Sequence, residues 1–350
     1  MLGSAAHGQQ PDDRPTTARP RLRAVGDRLQ IEQKFRSCVC FLMEDAGDSV
    51  QPVGTGFFVR VASPDPLYGR TYVVTAHHVA FDQKRRSPLL LTADAADGGI
   101  AFDFQIPNDA WIEHPNNKTD PTDVAVAVVP DEILPQISGR ALDASKMLID
   151  QSWLNSCDIG CGQEVFAIGM FTGHIGKNNI QPIHRFGKIA LMPAEKIDTP
   201  YGSIEAYLVE MVSWGGESGS PVFDWEFGRE CGHVLGVLQG HWLWPQDVKW
   251  KPSSKVRIAA GAHVEVNHGL SIVVPAYKIT ELLMTHDTLR EDRESAYKRY
   301  QSRRILPKLS GAQPDGGAFG KASFDAALRK ASRRKPTKRE KPSGPEKEPS

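Results

Sequence analysis

Between about Leu29 and Ala276 the sequence predicts an all-β fold, a barrel or a sandwich. Three observations carry that prediction. Short apolar runs recur through the whole stretch, many with the β-branched and aromatic residues that suit a pleated surface. Gly, Pro, Asn and Asp, the residues that tight turns demand, separate them. Long patterns of helical period are few in the same span, so strands must build the core by packing on one another or by closing on themselves.

The runs follow in order. SCVCFLM (37–43), TGFFVRV (55–61), TYVVTA (71–76), LLLTA (89–93) and DVAVAVV (123–129) form the first group. EVFAIG (164–169), EAYLVEM (205–211), PVF (221–223), HVLGVL (233–238) and LSIVVP (270–275) form the second. From Ala276 to about Ile305 apolar residues take helical spacing and then give way to charge, which predicts one C-terminal helix, packed in its first half and solvated in its second. Residues 1–28, rich in Pro, Asp, Arg and Thr, read as a disordered arm, and 29–290 as one domain. The stretch 291–306 is the end of the helix, and 307–350 reads as a basic disordered tail.

A chain of 350 residues, 40% apolar and 24% charged, has an ordinary globular composition. Its formal net charge of zero excludes a whole-molecule bias toward nucleic acid or anionic membrane. The basic clusters Arg333–Lys335 and Lys338–Arg339 are the exception, a candidate contact for an acidic partner or nucleic acid beside the plainer reading of a solubilising tail. Five cysteines (Cys38, Cys40, Cys157, Cys161 and Cys231) make neither a disulfide framework nor a zinc site, so reduced thiols and no cofactor or metal are expected. No apolar run has signal-peptide or membrane-span length, and a cytoplasmic protein with no membrane contact is the expectation.

Three short segments carry chemistry. In Gly215-Gly216-Glu217-Ser218-Gly219-Ser220-Pro221, glycines permit a tight turn that exposes a hydroxyl, and the N–H groups of Gly216 and Ser218 are placed to converge as an oxyanion hole. In Thr75-Ala76-His77-His78-Val79 an imidazole follows directly on a strand, with the intrinsic pKa of a general base. In Thr122-Asp123-Val124 a carboxylate leads into an apolar strand, where it can fix a histidine tautomer. A polar turn, a strand cap or a Gly-Ser hairpin would account for each segment singly.

Taken together, in the order His, Asp, Ser, the segments resemble those of the trypsin/chymotrypsin-like serine protease family. TAHHV, TDVAVAVV and GGESGSP are similar to the family's histidine, aspartate and serine motifs. The spacings of 45 residues from His78 to Asp123 and 95 onward to Ser218 also fit. Gly54-Thr55-Gly56-Phe57 resembles the hairpin ahead of the histidine in bacterial members, and the resemblance covers roughly residues 35–290. It implies two six-stranded antiparallel β-barrels with a C-terminal helix, and a serine endopeptidase with His78 as base, Asp123 as orienting carboxylate and Ser218 as nucleophile. His77 is the competing base, and Asp120 and Asp103 are the weaker acids.

The resemblance also implies substrate contacts from Val212, Gln239, Gly240 and Gly269. Valine at position 212, the expected base of the specificity pocket, offers no charge, so small or apolar side chains are expected there. Trp242, Trp244 and Trp250 read as a packed loop cover ahead of a recognition surface. Glu217 replaces the family's Asp beside the serine, Ser220 replaces a Gly, and no activation sequence for a freed N-terminus is visible. The expected partners are a protein or peptide substrate and a regulatory protein. The competing function is a catalytically silent protease-fold module that binds peptide or a partner protein.

Overall fold

The computed structural model describes residues 35–309, apart from 86, 99–101, 157–158, 200–201, 226–231 and 248–262. The expected N-terminal arm and the basic tail lie outside the described residues, as do Cys157, Cys231 and Trp250.

The first half of the chain forms one curled antiparallel sheet. Its strands are β1 (Val39–Asp45), β2 (Val50–Ala62), β3 (Gly69–Thr75), β4 (Leu89–Ala93), β5 (Phe102–Ile106), β6 (Trp111–Glu113), β7 (Ala125–Val128) and β8 (Leu142–Asp143). They run in the order β5-β4-β1-β2-β3-β7-β6, with β8 pairing in parallel on β2 at Val59 and Arg60. The second half supplies β9 (Glu164–Gly169), β10 (Ile183–Leu191), β11 (Lys196–Thr199), β12 (Gly202–Glu205), β13 (Tyr207–Glu210), β14 (Pro221–Asp224), β15 (Val234–Asp247) and β16 (His263–Pro275). Six of these close into a barrel, β10-β13-β16-β15-β14-β9, while β11 and β12 pair apart from it. The chymotrypsin-like double barrel is therefore present, with its second barrel closed and its first a curled sheet.

Burial on both faces explains why so many strands read as unbroken apolar runs rather than alternating ones. In the segment leading through β7, Ala125 and Ala127 point into the first half's own core with Leu42, Phe58, Val73 and Leu91. Their neighbours Val124 and Val126 point the other way, into a larger core shared by both halves. The second barrel repeats the scheme: Val165 and Ala167 of β9 line its interior with Tyr207, Val209, Val222 and Val273. Phe166 and Ile168 join the shared core. The two halves thus meet through one continuous apolar seam. At its centre Phe166 stacks on Phe223 at 5.0 Å between centroids and meets Phe35 edge-on at 5.7 Å.

Where one helix was expected after Ala276, the structure has two, Ala276–Thr285 and Asp287–Leu309. His286 between them takes extended backbone (ψ 121°), and the turn is consistent with side chains that compete for the backbone there. Thr285 Oγ1 donates to the Glu281 carbonyl, and Asp287 opens the next helix paired to Arg290. Ile279, Leu282 and Leu283 bury against the seam, as the apolar periodicity predicts. The second helix is tied to β3 by Arg70, whose guanidinium donates to both carboxylate oxygens of Asp292 at 2.7 and 3.1 Å. The compact body ends at Tyr297, and the helix continues through residues 298–309.

Cys38 and Cys40 are fully buried free thiols, and burial pushes both well above the ordinary thiol range. They are packing residues, not reactive ones. Of the two described tryptophans of the expected loop cover, Trp242 packs against the shared core. Trp244 is 57% exposed, because β15 and β16 run past the barrel as a ribbon in which Trp244 pairs with Val266.

Replacing Phe166 with Ala removes the ring at the centre of the aromatic seam. The expected loss is about 3–5 kcal/mol of unfolding free energy, read from chemical denaturation followed by far-UV circular dichroism. A loss below about 1 kcal/mol would show that the seam is not the shared core described above.

Candidate active site

Strand register brings the first two site residues together. Thr75, the last residue of β3, pairs with Ala125, the first of β7. The chain leaving β3 and the chain entering β7 therefore occupy the same end of the sheet. After Ala76 a single helical turn, His77–Ala80, begins, and His78 sits on it. The His78 backbone N–H donates to Asp123 Oδ1 at 2.8 Å, and its ring Nδ1 lies 2.8 Å from Asp123 Oδ2. The Asp123 side chain is 3% exposed, with one oxygen engaged by backbone and the other by the ring. With Nδ1 as donor to a carboxylate, the imidazole takes the tautomer whose Nε2 is a proton acceptor. Neither Asp120, which pairs with Lys196, nor Asp103, which accepts from Thr92 Oγ1, competes for that place.

His77 turns away from its neighbour. Its Nε2 lies 3.0 Å from Glu113 Oε2, and its ring stacks on Phe81 at 4.6 Å. Asn117 joins the pair, donating to Glu113 Oε2 at 2.8 Å and accepting at Oδ1 from the Thr122 N–H. His77, Glu113 and Asn117 thus brace the loop that delivers Asp123. Desolvation pushes the Glu113 carboxyl up, but the hydrogen bonds from Asn117 and His77 outweigh it and hold the group below the usual carboxylate range.

The serine arrives from the other half, on the turn that enters β14. Ser218 is half-buried, and its carbonyl accepts from the Thr55 N–H at 2.8 Å. Gly219 donates to the Leu238 carbonyl at 2.7 Å, and Ser220 donates to Glu217 at 3.0 Å. Gly219 has φ +88°, and a Cβ there would fall 2.1 Å from the Thr55 carbonyl and 2.2 Å from Thr75 Oγ1. Only glycine allows this approach, which presses the serine turn onto the strand end that carries His78.

Thr55 holds the contact from the other side. Its hydroxyl donates to the Gly216 carbonyl at 2.8 Å and accepts from the Met170 N–H at 2.9 Å. Its carbonyl accepts from Thr75 Oγ1 at 2.7 Å. Gly216 takes φ +92°. Among the described residues, the N–H groups of Gly216 and Ser218 donate to no protein acceptor. Glu217, between them, turns its side chain inward: Oε1 meets Arg185 Nε at 2.8 Å and Oε2 accepts from the Trp214 N–H at 2.8 Å.

The expected substrate residues differ in exposure. Val212, expected at a pocket base, stands 47% exposed, at an open position beside Gly269. A Cβ on Gly269 (φ +81°) would lie 3.6 Å from a Val212 methyl. Gly240 opens onto free space on the neighbouring strand. Gln239, by contrast, is sealed from solvent, and neither polar atom of its amide finds a hydrogen-bond partner among the described residues. No group of three His, Cys, Asp or Glu side chains among the described residues is arranged to hold a metal ion.

The sequence reading did not foresee Arg185, Glu113, Asn117 or the role of Thr55. Thr55 stands in the Gly54-Thr55-Gly56 segment, but its hydrogen bonds span more than a hundred residues. Arg185 carries no local signal at all, since nothing in the run Ile183–Leu191 marks one cation as paired with a distant buried carboxylate.

No protein-family model matches the sequence, and no curated protein matches it. Solved structures that it is similar to include the MamO protease domain from Magnetospirillum magneticum in its apo form. That match has 15% identity, covers 70% of this chain and 95% of that one, and has a TM-score of 0.43. Deg5 matches at 21% identity over 61% of this chain and 84% of that one, with a TM-score of 0.40. An inactive mutant form of Rv3671c from M. tuberculosis matches at 17% identity over 77% and 96%, with a TM-score of 0.41. The fold described above rests on this chain's own strand order and register.

Gly219→Ala is expected to destabilise the protein by more than about 1 kcal/mol, through positive φ and the clash with the Thr55 carbonyl. Gly215, where a Cβ meets nothing within 4 Å, provides the matched control. Gly215→Ala should change the denaturation midpoint little. Equal effects of the two substitutions would contradict the close approach at Gly219.

Proposed function

We propose that this protein is a serine endopeptidase, with Ser218 as nucleophile, His78 as general base and Asp123 as the group that orients it. The observation that carries the reading is the two-point grip of Asp123 on His78, at 2.8 Å to both backbone and ring nitrogen. It stands at the strand end against which the Ser218 turn is pressed through Gly219.

The chemistry follows from those groups. Nδ1 is committed to Asp123, so Nε2 is the basic nitrogen available to take the Ser218 hydroxyl proton as Oγ attacks a peptide carbonyl. Asp123 stabilises the imidazolium that forms, and its burial strengthens that interaction. The oxygen of the tetrahedral intermediate takes up negative charge, which the N–H groups of Gly216 and Ser218 serve as donors. The intermediate collapses, the amine leaves with the proton from His78, and an acyl group remains on Ser218 Oγ. Water, deprotonated by His78, then hydrolyses the ester and restores the hydroxyl.

Val212, Gly240 and Gly269 carry no charge. Small or apolar side chains before the scissile bond fit such residues better than Arg or Lys. The buried thiols of Cys38 and Cys40 suit a reducing compartment such as the cytoplasm.

The test is hydrolysis of a peptide library by the wild type, Ser218→Ala and Asp123→Asn, each checked for folding by thermal denaturation. The wild type should cleave, Ser218→Ala should lose turnover while staying folded, and Asp123→Asn should lose roughly 10⁴-fold in kcat. Undiminished cleavage by Ser218→Ala would refute the assignment. A folded wild type that binds peptides without cleaving them would establish the binding-module reading instead.

A further inference from the structure

Asp123 is only as well placed as the loop that delivers it. Residues 114–122 join β6 to Asp123, and side chains near both ends of that loop reach toward other elements. His114 is 3% exposed, and its Nδ1 accepts from the Asn116 N–H at 3.3 Å. The ring proton therefore sits on Nε2, which lies 3.3 Å from Glu281 Oε2. Burial holds this imidazole below the usual histidine range, with the Glu281 charge opposing, so the ring is uncharged at neutral pH. Near the other end, Asp120 Oδ1 meets Lys196 Nζ of β11 at 2.7 Å. Pro121 lies against the start of β12, where a Cβ on Gly202 would fall 3.3 Å from Pro121 Cγ.

The hairpin and the helix Ala276–Thr285 are joined in turn. Lys196 stands opposite Glu205 in the register of β11 and β12. Glu205 accepts from the Tyr277 hydroxyl and takes Lys278 Nζ at 3.3 Å. Lys278 Nζ also lies 3.2 Å from Glu281 Oε2, the oxygen that faces His114. The contacts close a ring that begins and ends on the Asp123 loop, through Asp120, Lys196, Glu205, Lys278, Glu281 and His114. Lys278, 12% exposed, is the most deeply buried charge in it. Burial pulls its ammonium down, but the charges of Glu281 and Glu205 outweigh that and hold it above the usual lysine range. Losing a cation shared by two carboxylates leaves like charges facing each other where water is scarce. The Asp120–Lys196 pair, 37% and 46% exposed, is screened by solvent and holds less firmly.

We propose that Lys278 is a positioning residue that locks Glu281 against His114. It thereby makes the helix Ala276–Thr285 and the β11–β12 hairpin a clamp on the loop that carries Asp123. The inference deepens the peptidase reading and rests on it, since what the clamp holds in place is the carboxylate that orients His78. Without the ammonium, Glu205 and Glu281 repel, Glu281 turns to water, and the His114 end of the loop loses its anchor.

Hydrogen exchange at three amides of the full chain reads the effect. The His78 amide donates to Asp123 Oδ1 and the Thr122 amide to Asn117 Oδ1, so both report on the aspartate side. The Gly219 amide, which donates to the Leu238 carbonyl, reports on the serine turn. In Lys278→Met, which keeps the apolar stem, protection should fall about tenfold at His78 and Thr122 and persist at Gly219, with a cooperative thermal transition. Labelling by a fluorophosphonate probe should slow about tenfold in the same variant. Lys278→Arg should restore both. Glu281→Gln, at a partly exposed position, repeats the test from the other side of the contact and should lose the same protection. Wild-type protection at His78 and Thr122 in both variants would overturn the inference. An equal loss at Gly219 would also overturn it, by marking Lys278 as a general stabiliser. A wild type that takes no label would overturn the peptidase reading alone. Exchange at His78 and Thr122 would then decide the clamp by itself, its rise in Lys278→Met supporting it and its constancy refuting it.

Discussion

Thr55 is where the two halves of the molecule become one site. It is fully buried on β2, and each of its polar groups has a partner: Ser218 and Gly216 on the serine turn, Thr75 at the end of β3, and Met170 just past β9. Histidine and aspartate belong to the first half and serine to the second, so their alignment depends on contacts across the seam. A buried polar residue that satisfies all its hydrogen bonds specifies one arrangement, because every shift strands a donor or an acceptor at a cost of about 1–3 kcal/mol each. The aromatic packing of Phe35, Phe166 and Phe223 brings the halves together without direction. Thr55 supplies the direction, and the missing side chain of Gly219 supplies the room.

The site holds two buried carboxylates whose partners set their tasks apart. Asp123 is gripped by a backbone N–H and a ring nitrogen of one residue, His78, so its charge is aimed at that imidazole. Glu217 is matched by the Arg185 guanidinium and the Trp214 N–H, which tie its side chain into the turn 214–217. His77 makes the same point beside His78. Two adjacent imidazoles each meet an acid, but Glu113 is more exposed and shared with Asn117, and that pair braces a loop.

What the sequence made legible follows from distance along the chain. Strand positions could be read because burial on both faces leaves long apolar runs, and the helix after Ala276 because its buried face recurs at helical period. His78, Asp123 and Ser218 stand out in the sequence as candidates because each sits in a short distinctive segment, the glycines around Ser218 above all. Motif spacing favours His78 over His77, and in the structure the two rings take different acids, Asp123 and Glu113. Arg185, Glu113 and Asn117 could not be read, because each acts through a partner that only the fold brings near. The break at His286 and the exposure of Trp244 escaped for a related reason. Both depend on where a helix turns or a ribbon outruns its barrel, which local pattern does not encode.

The central claim is that one turn of the second half and one strand end of the first assemble a single reacting centre. A crystal structure of the protein treated with a small alkyl fluorophosphonate tests it most directly, because the adduct reports the reacting atom and the oxyanion donors together. The account predicts phosphorus bonded to Ser218 Oγ, with the phosphoryl oxygen within hydrogen-bond distance of the Gly216 and Ser218 N–H groups and His78 Nε2 facing the adduct. Phosphorus on another residue, or a phosphoryl oxygen turned away from both N–H groups, would contradict it.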